Sequence, residues 1–188
     1  MTQFEQKSAA FLQKIPEKYP APFTVEQNYT CCDTVFPMMI WYESKKNRKL
    51  LGISDVPMTG VSGEKCFVCC CESLDETKLQ EYQKLFERMH DELVNTDGKE
   101  QHMFTLLSII ICAGSVTAGA EKKLKRINDH REYNNGKDGW SALRICAYDL
   151  NREQYICNSM GKAVKECLTR DELPKERKGF FSRLLWNQ

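Results

Sequence analysis

Histidine is scarce in this chain: three imidazoles in 188 residues leave little material for a histidine-rich metal centre or a histidine base. His90 and His102, with Asp91 and Glu100, make the one histidine–carboxylate grouping close in sequence, split by the end of a helix, and His130 has no acidic partner that would mark it as a base. An excess of either charge is missing as well. The 27 basic side chains are balanced by 26 acidic ones, a net +1, so no global field draws the protein to nucleic acid or an anionic membrane, and any such role must be local. No long apolar stretch is present. The longest run, 104–120, is interrupted by Thr105, Ser108, Gly114, Ser115, Thr117 and Gly119, whereas a membrane helix needs about 20 mostly apolar residues. No membrane role is expected. The first ten residues carry Glu5 and Lys7 and no continuous apolar segment, so no secretory signal is read there and the expected setting is the cytoplasm. No internal repeat is visible.

Hydrophobic side chains make up 41% and charged ones 28%, enough apolar surface to offset the entropy of ordering a chain of single-domain size. Ten cysteines are too many to ignore, yet several replace aliphatic residues inside strand-like runs. They are read as reduced, buried thiols, not as a disulfide scaffold.

Phe4, Phe11, Leu12 and Ile15 share one stripe of a first helix that Pro16 closes. Residues 29–42, rich in Val, Ile, Cys and aromatics, suit one or two strands, with Pro37 at an edge or bend. The polar stretch Ser44 to Lys49 reads as a turn, and Leu50 to Ile53 as a short return strand. Cys66 to Cys71 suits a buried strand. Ser73 and Asp75 then open an amphipathic helix with Leu79, Tyr82, Phe86, Met89 and Leu93 on one face, which Asp97-Gly98 ends. Phe104 to Ala113 has the near-continuous apolar pattern of a central strand. Thr117 caps a helix with Ala120, Leu124 and Ile127 inward and a basic outer side. Residues 140–150 and 153–157 read as two further strands around Asn151-Arg152, and 160–168 as a last helix. The fold class is therefore α+β, a mixed and largely antiparallel sheet flanked by helices. Residues 1–170 form the domain, and 171–188 form a tail that is first charged and then apolar.

Several motifs suggest chemistry. Asp33 with Glu43-Ser44-Lys45 resembles the Asp…Glu-x-Lys signature of restriction-endonuclease-like nucleases, where two carboxylates hold magnesium and a lysine assists the attacking water. Gly114 to Gly119 sits where a phosphate-binding loop would sit, but Ala120 and Glu121 follow in place of the required lysine and hydroxyl, so a tight strand-to-helix turn is expected. Cys66 and Cys69 have the spacing of half a zinc site without a second pair, and neither Cys31-Cys32 nor the isolated cysteines supply one. Cys69, Cys70 and Cys71 alternate faces along a strand. No metal or cofactor is expected. Lys122, Lys123, Lys125, Arg126 and Arg131, with Trp140 nearby, form the densest basic segment and the candidate binding surface, open to nucleic acid. In the tail, Phe180, Phe181, Leu184, Leu185 and Trp186 need a protein surface, in the same chain, a second copy or another partner.

Gly136-Lys137-Asp138-Gly139-Trp140-Ser141, followed by Arg144, Asp149-Leu150 and Asn158-Ser159-Met160-Gly161, resembles a group of uncharacterised bacterial proteins, mainly of Firmicutes, over roughly residues 100–168. The resemblance implies a bacterial cytoplasmic protein and no particular activity. Its residues are also read structurally, with the glycines for turns, Trp140 for packing, and Asn158 and Gly161 for ending a strand. The functional expectation is a non-enzymatic binding or interaction module, with the nuclease and the nucleic-acid binder as alternatives.

Overall fold

A run of crossing strands, alternately paired and helix-linked, follows from these patterns. The structure is a computed structural model that describes residues 1–50, 54–94, 96 and 101–170, with the side chains of all of these except 45–50 and 54–59. Helix α1 spans Gln3–Lys14, opened by a Thr2 capping box with Glu5, and a single 3-10 turn at Pro16–Lys18 follows. Strands β1 (Thr24–Cys31), β2 (Thr34–Leu50) and β3 (Ser54–Leu74) form an antiparallel meander. Helix α2 (Glu76–Leu93) leads to β4 (Gln101–Val116), and α3 (Ala118–Leu124) leads through β5 (His130–Glu132) to β6 (Trp140–Asp149). Strand β7 (Gln154–Cys157) and α4 (Lys162–Thr169) complete the described part.

The sheet runs β1-β2-β3-β4-β6-β5, with β7 also on β6. It is mixed. The β3–β4 and β4–β6 pairs are parallel and the other pairings antiparallel. Both parallel steps go the same way across the sheet, so right-handed crossovers place their helices on the same face. Accordingly Leu79, Tyr82, Phe86 and Met89 of α2 share one cluster with Ala120 and Leu124 of α3, over Phe67, Ile109, Ile111 and Ile145. The opposite face carries α1 and α4, whose Phe11, Val164 and Leu168 pack with Ile40, Val68, Ile110 and Cys146. Covered on both sides, β4 is buried without interruption from Phe104 to Ala113, as its apolar run predicts.

Some sequence expectations need correction. Ser44 to Lys49 is not a turn, because β2 continues through it, paired residue for residue with β3 from Ser44↔Ser62 to Arg48↔Met58. Of the expected return strand Leu50 to Ile53, Leu50 belongs to β2 and pairs with Ser54 of β3, and residues 51–53 lie outside the described residues. Among the described residues, pairing of β3 with β4 begins at Gly60↔Gln101, and the stretch before Gly60 is paired with β2 alone. The sequence of the β2 stretch, Ser44-Lys45-Lys46-Asn47-Arg48-Lys49, lacks the apolar–polar alternation that identifies a strand, so only the backbone ladder reveals it. Helix α2 likewise stops at Leu93, before Asp97. Pro37 lies opposite Asn28, whose φ of 53° interrupts the β1–β2 ladder without shifting its register, and the β2–β3 ladder begins only at Met38. Neither neighbour requires the missing proline N–H.

The outer edge of β6 is shared. Strand β5 takes residues 140–142 and β7 takes 146–149, which leaves Leu143 to Ile145 between them. Asn158 fills the gap. Its Oδ1 accepts from the Ile145 and Gly161 amides at 3.1 and 2.8 Å, and its Nδ2 donates to the Leu143 and Ile127 carbonyls at 3.1 and 3.2 Å. A Cβ on Gly161 would stand 2.4 Å from the Ile145 oxygen, so this turn admits only glycine.

Candidate functional site

Polar side chains inside a sheet of this kind must find partners there, since burying an unpaired hydroxyl or charge is costly. Two such clusters form, one on each face.

Under the last turn of α2, His90 is 1% exposed and Ser141, on β6, is fully buried. His90 Nδ1 and the Ser141 hydroxyl are 2.8 Å apart, and the Tyr133 hydroxyl reaches Ser141 Oγ at 2.7 Å. Tyr133 is also in edge contact with His102, 5.7 Å between ring centroids. His102 spends both ring nitrogens, on the Asp138 carbonyl at 2.8 Å and on Thr105 Oγ1 at 2.9 Å. The two histidines separated by a helix end in sequence thus meet around one tyrosine. Gly139 makes the approach possible: its φ is 79°, and a Cβ there would stand 2.3 Å from the Met103 oxygen. Burial, and secondarily the Arg131 charge, push the His90 imidazole down to about 4, against the opposing pull of Asp91. His90 is therefore neutral at pH 7. Its Nε2 is the single buried side-chain nitrogen or oxygen without a hydrogen bond among the described residues. With Nδ1–H donating to Ser141, Nε2 carries a bare lone pair and not an orphaned N–H, the cheaper arrangement.

On the opposite face, Arg144 of β6 is 3% exposed and pairs with Glu64 of β3. Between them Ser108 of β4 accepts from Arg144 Nε at 3.1 Å and donates to Glu64 at 3.4 Å. Burial disfavours the Arg144 charge, but the Glu64 carboxylate outweighs it and leaves the guanidinium more basic than an exposed arginine. Tyr19 and Cys66 close this cluster, hydroxyl to sulfur at 3.8 Å, and burial pushes both the phenol and the thiol up.

The residues that the motifs single out lie elsewhere. Asp33 is at the tip of the β1–β2 hairpin, almost fully exposed and paired with Arg88 at 2.9 Å. Glu43 is exposed in the middle of β2, opposite Gly63. With no turn between them, ten residues at about 3.3 Å each separate the two carboxylates by roughly 30 Å. They do not meet. Lys45 is on the same strand, and its side chain lies outside the described residues, as do Glu100 and the apolar tail. Lys122, Lys123, Lys125 and Arg126 are exposed on or just after α3, with Lys125 paired to Glu121 at 2.6 Å. Arg131 pairs with Asp91 at 3.3 Å, beside His90. Trp140 stacks on Phe104, centroids 5.2 Å apart, which is a packing role. The turn at 114–119 cradles a carboxylate of the chain itself: Thr117 caps α3 and donates to Glu76 at 3.1 Å. Cys69 and Cys70 do face opposite clusters. Cys31, Cys32 and Glu92, by contrast, bring their ligand atoms within 4.8 Å of one another.

Residues 7–170, which include both buried clusters, the Asn158 bridge and this cysteine pair, match a single family over most of the chain. The chain belongs to the family described as Domain of unknown function (DUF8052). No curated protein and no solved structure matches it. The family span ends at Arg170, where α4 has closed the second face.

Neither polar cluster was legible as a unit, because the contacts His90–Ser141, Ser108–Glu64 and Arg144–Ser108 that hold them together span 36 to 51 residues. One signal was available. Arg144 and Ser141 interrupt an otherwise apolar strand, and a charge in such a strand requires a buried partner.

Proposed function

We propose that the chain is a non-enzymatic binding or interaction module of the cytoplasm. One observation carries this reading: His90 with Ser141 on one face, and Ser108 with Arg144 on the other, are each at most 3% exposed and bonded within their own cluster. A substrate would have to open the core to reach them. A reducing compartment agrees with ten cysteines that are all free, and no helix among the described residues is long and apolar enough to cross a membrane.

What faces solvent is charge. Lys122, Lys123 and Arg126 are exposed, with no ion-pair partner among the described residues, and an anionic partner suits that surface. The reading is tested against the nuclease alternative by incubating the purified protein with labelled single- and double-stranded DNA and RNA in magnesium or manganese. Intact substrate is the expected result in every case. Metal-dependent cleavage that disappears in folded Asp33→Ala or Glu43→Ala variants would overturn it.

A further inference from the structure

We propose that Cys31, Cys32 and Glu92 form a binding site for a thiophilic divalent cation of the zinc class. The site shares no residue with α3 or with the buried clusters.

Adjacent cysteines in a strand point to opposite faces. Here they do not. Cys31 ends β1 and pairs with Thr34 across the tip, while Cys32 and Asp33 form the two-residue turn with φ of 50° and 57°. Positive φ at both central residues is the type I′ hairpin turn, which favours Asn, Asp and Gly. Asp33 fits that rule; Cys32 does not, and a thiol is held there at a conformational cost. The left-handed turn swings Cys32 back to the side of Cys31, so both sulfurs lie under the last turns of α2.

The distances suit one ion. The sulfurs are 3.6 Å apart, Cys31 Sγ is 3.7 Å from one Glu92 oxygen and Cys32 Sγ is 3.1 Å from the other. Bonds of about 2.3 Å to sulfur and about 2.0–2.2 Å to oxygen at a tetrahedral centre put two sulfurs about 3.8 Å apart, and a sulfur and an oxygen about 3.5 Å apart. The sulfur–sulfur separation and each sulfur's approach to its own Glu92 oxygen are close to these values, and one ligand atom from each residue lies within 4.8 Å of the others, so a small turn of the carboxylate seats one oxygen at the third corner. The cysteines are 1% and 6% exposed whereas Glu92 is exposed, which leaves the fourth corner and the entry path on the solvent side of Glu92.

Without metal the two thiols donate to the Glu92 carboxylate, so the donors are already arranged around a negative charge. On binding, the cation forms two sulfur bonds and one oxygen bond, two thiol protons leave to solvent, and the site goes from one negative charge to one negative charge with the ion included. The hairpin tip is held by Arg88 through Asp33, and Lys65 fastens the end of α2 through the Leu93 carbonyl at 3.0 Å. Both ligand-bearing elements are fixed before the ion arrives.

The test is a titration of the reduced, metal-free chain with Zn2+ against a chromophoric chelator, and with Co2+ followed by its thiolate charge-transfer band. One ion per chain is expected, with a rise in melting temperature. Glu92→Gln, at an exposed position, should weaken binding by at least about tenfold with its metal-free melt unchanged, and Cys32→Ser should weaken binding and cut the charge-transfer band to at most the half that one thiolate supplies. Cys157→Ser, on the other face, should bind as wild type. No stoichiometric uptake by the wild-type chain, or an affinity unchanged in Glu92→Gln, overturns the proposal, and the second criterion decides even if Cys32→Ser does not fold.

Discussion

Replacing Asn158 by alanine is expected to lower stability by about 3 kcal/mol or more, since three buried backbone groups lose their partner at about 1–3 kcal/mol each, while the Gly161 amide keeps the Asn158 carbonyl at 3.1 Å. For a domain of this size that corresponds to a fall in melting temperature on the order of 10 °C. The bonds at stake are those to the Ile145 and Gly161 amides and the Leu143 and Ile127 carbonyls. Backbone groups facing a gap between two strands cannot turn to solvent without pulling β7 off β6, so the loss should be cooperative and visible by calorimetry. Asn158→Asp keeps the two acceptor bonds and loses the two donor bonds while adding a buried charge, and it should be no better than alanine. A change of less than about 2 °C in both variants, well under the shift of a single lost bond, would mean that water replaces the amide.

The second large effect concerns the ion pair. Arg144→Met alone leaves Glu64 charged and without its partner, and is expected to cost about 3–5 kcal/mol in urea unfolding, whereas Glu64→Leu with Arg144→Met should regain most of that loss. The reasoning is that removing one partner strands the other's charge, while removing both replaces a desolvated pair by apolar packing. The surroundings favour that outcome, with Tyr19 and Cys66 against the pair and only about a tenth of the Glu64 side chain in contact with solvent. Equal losses in the single and double variants would show that Arg144 acts through its packing stem and not through its charge.

How far the chain can be read without its structure depends on where each feature keeps its information. Local features are written in consecutive residues: the α2 stripe from Leu79 to Met89, the Thr117 cap, and the unbroken burial of β4 all follow from spacing and from single capping side chains. Asn158 and Gly161 were legible as the end of a strand, but not as the plug of an edge shared by β5 and β7. The β2–β3 ribbon was hidden because its ladder makes no demand on side-chain polarity. Cys31-Cys32 was discounted as a ligand pair for want of a second pair, a reading that left out Glu92, 60 residues away, and the turn at Cys32 that brings both sulfurs to one side. The Ser141–His90 contact spans 51 residues, and nothing local in either segment refers to the other.

Ser141 and His90 are the serine–imidazole pair of the core, so the claim that the core's polar groups are structural is tested most directly there. The measurement is mass spectrometry of the folded protein after incubation with a fluorophosphonate probe, which modifies serines activated by a neighbouring base. No adduct on Ser141 is the expected result, because Ser141 is fully buried and its hydroxyl is shared with Tyr133 and His90. A stoichiometric adduct on Ser141 that disappears in a folded His90→Ala variant would contradict the binding-module reading and make this pair an active site.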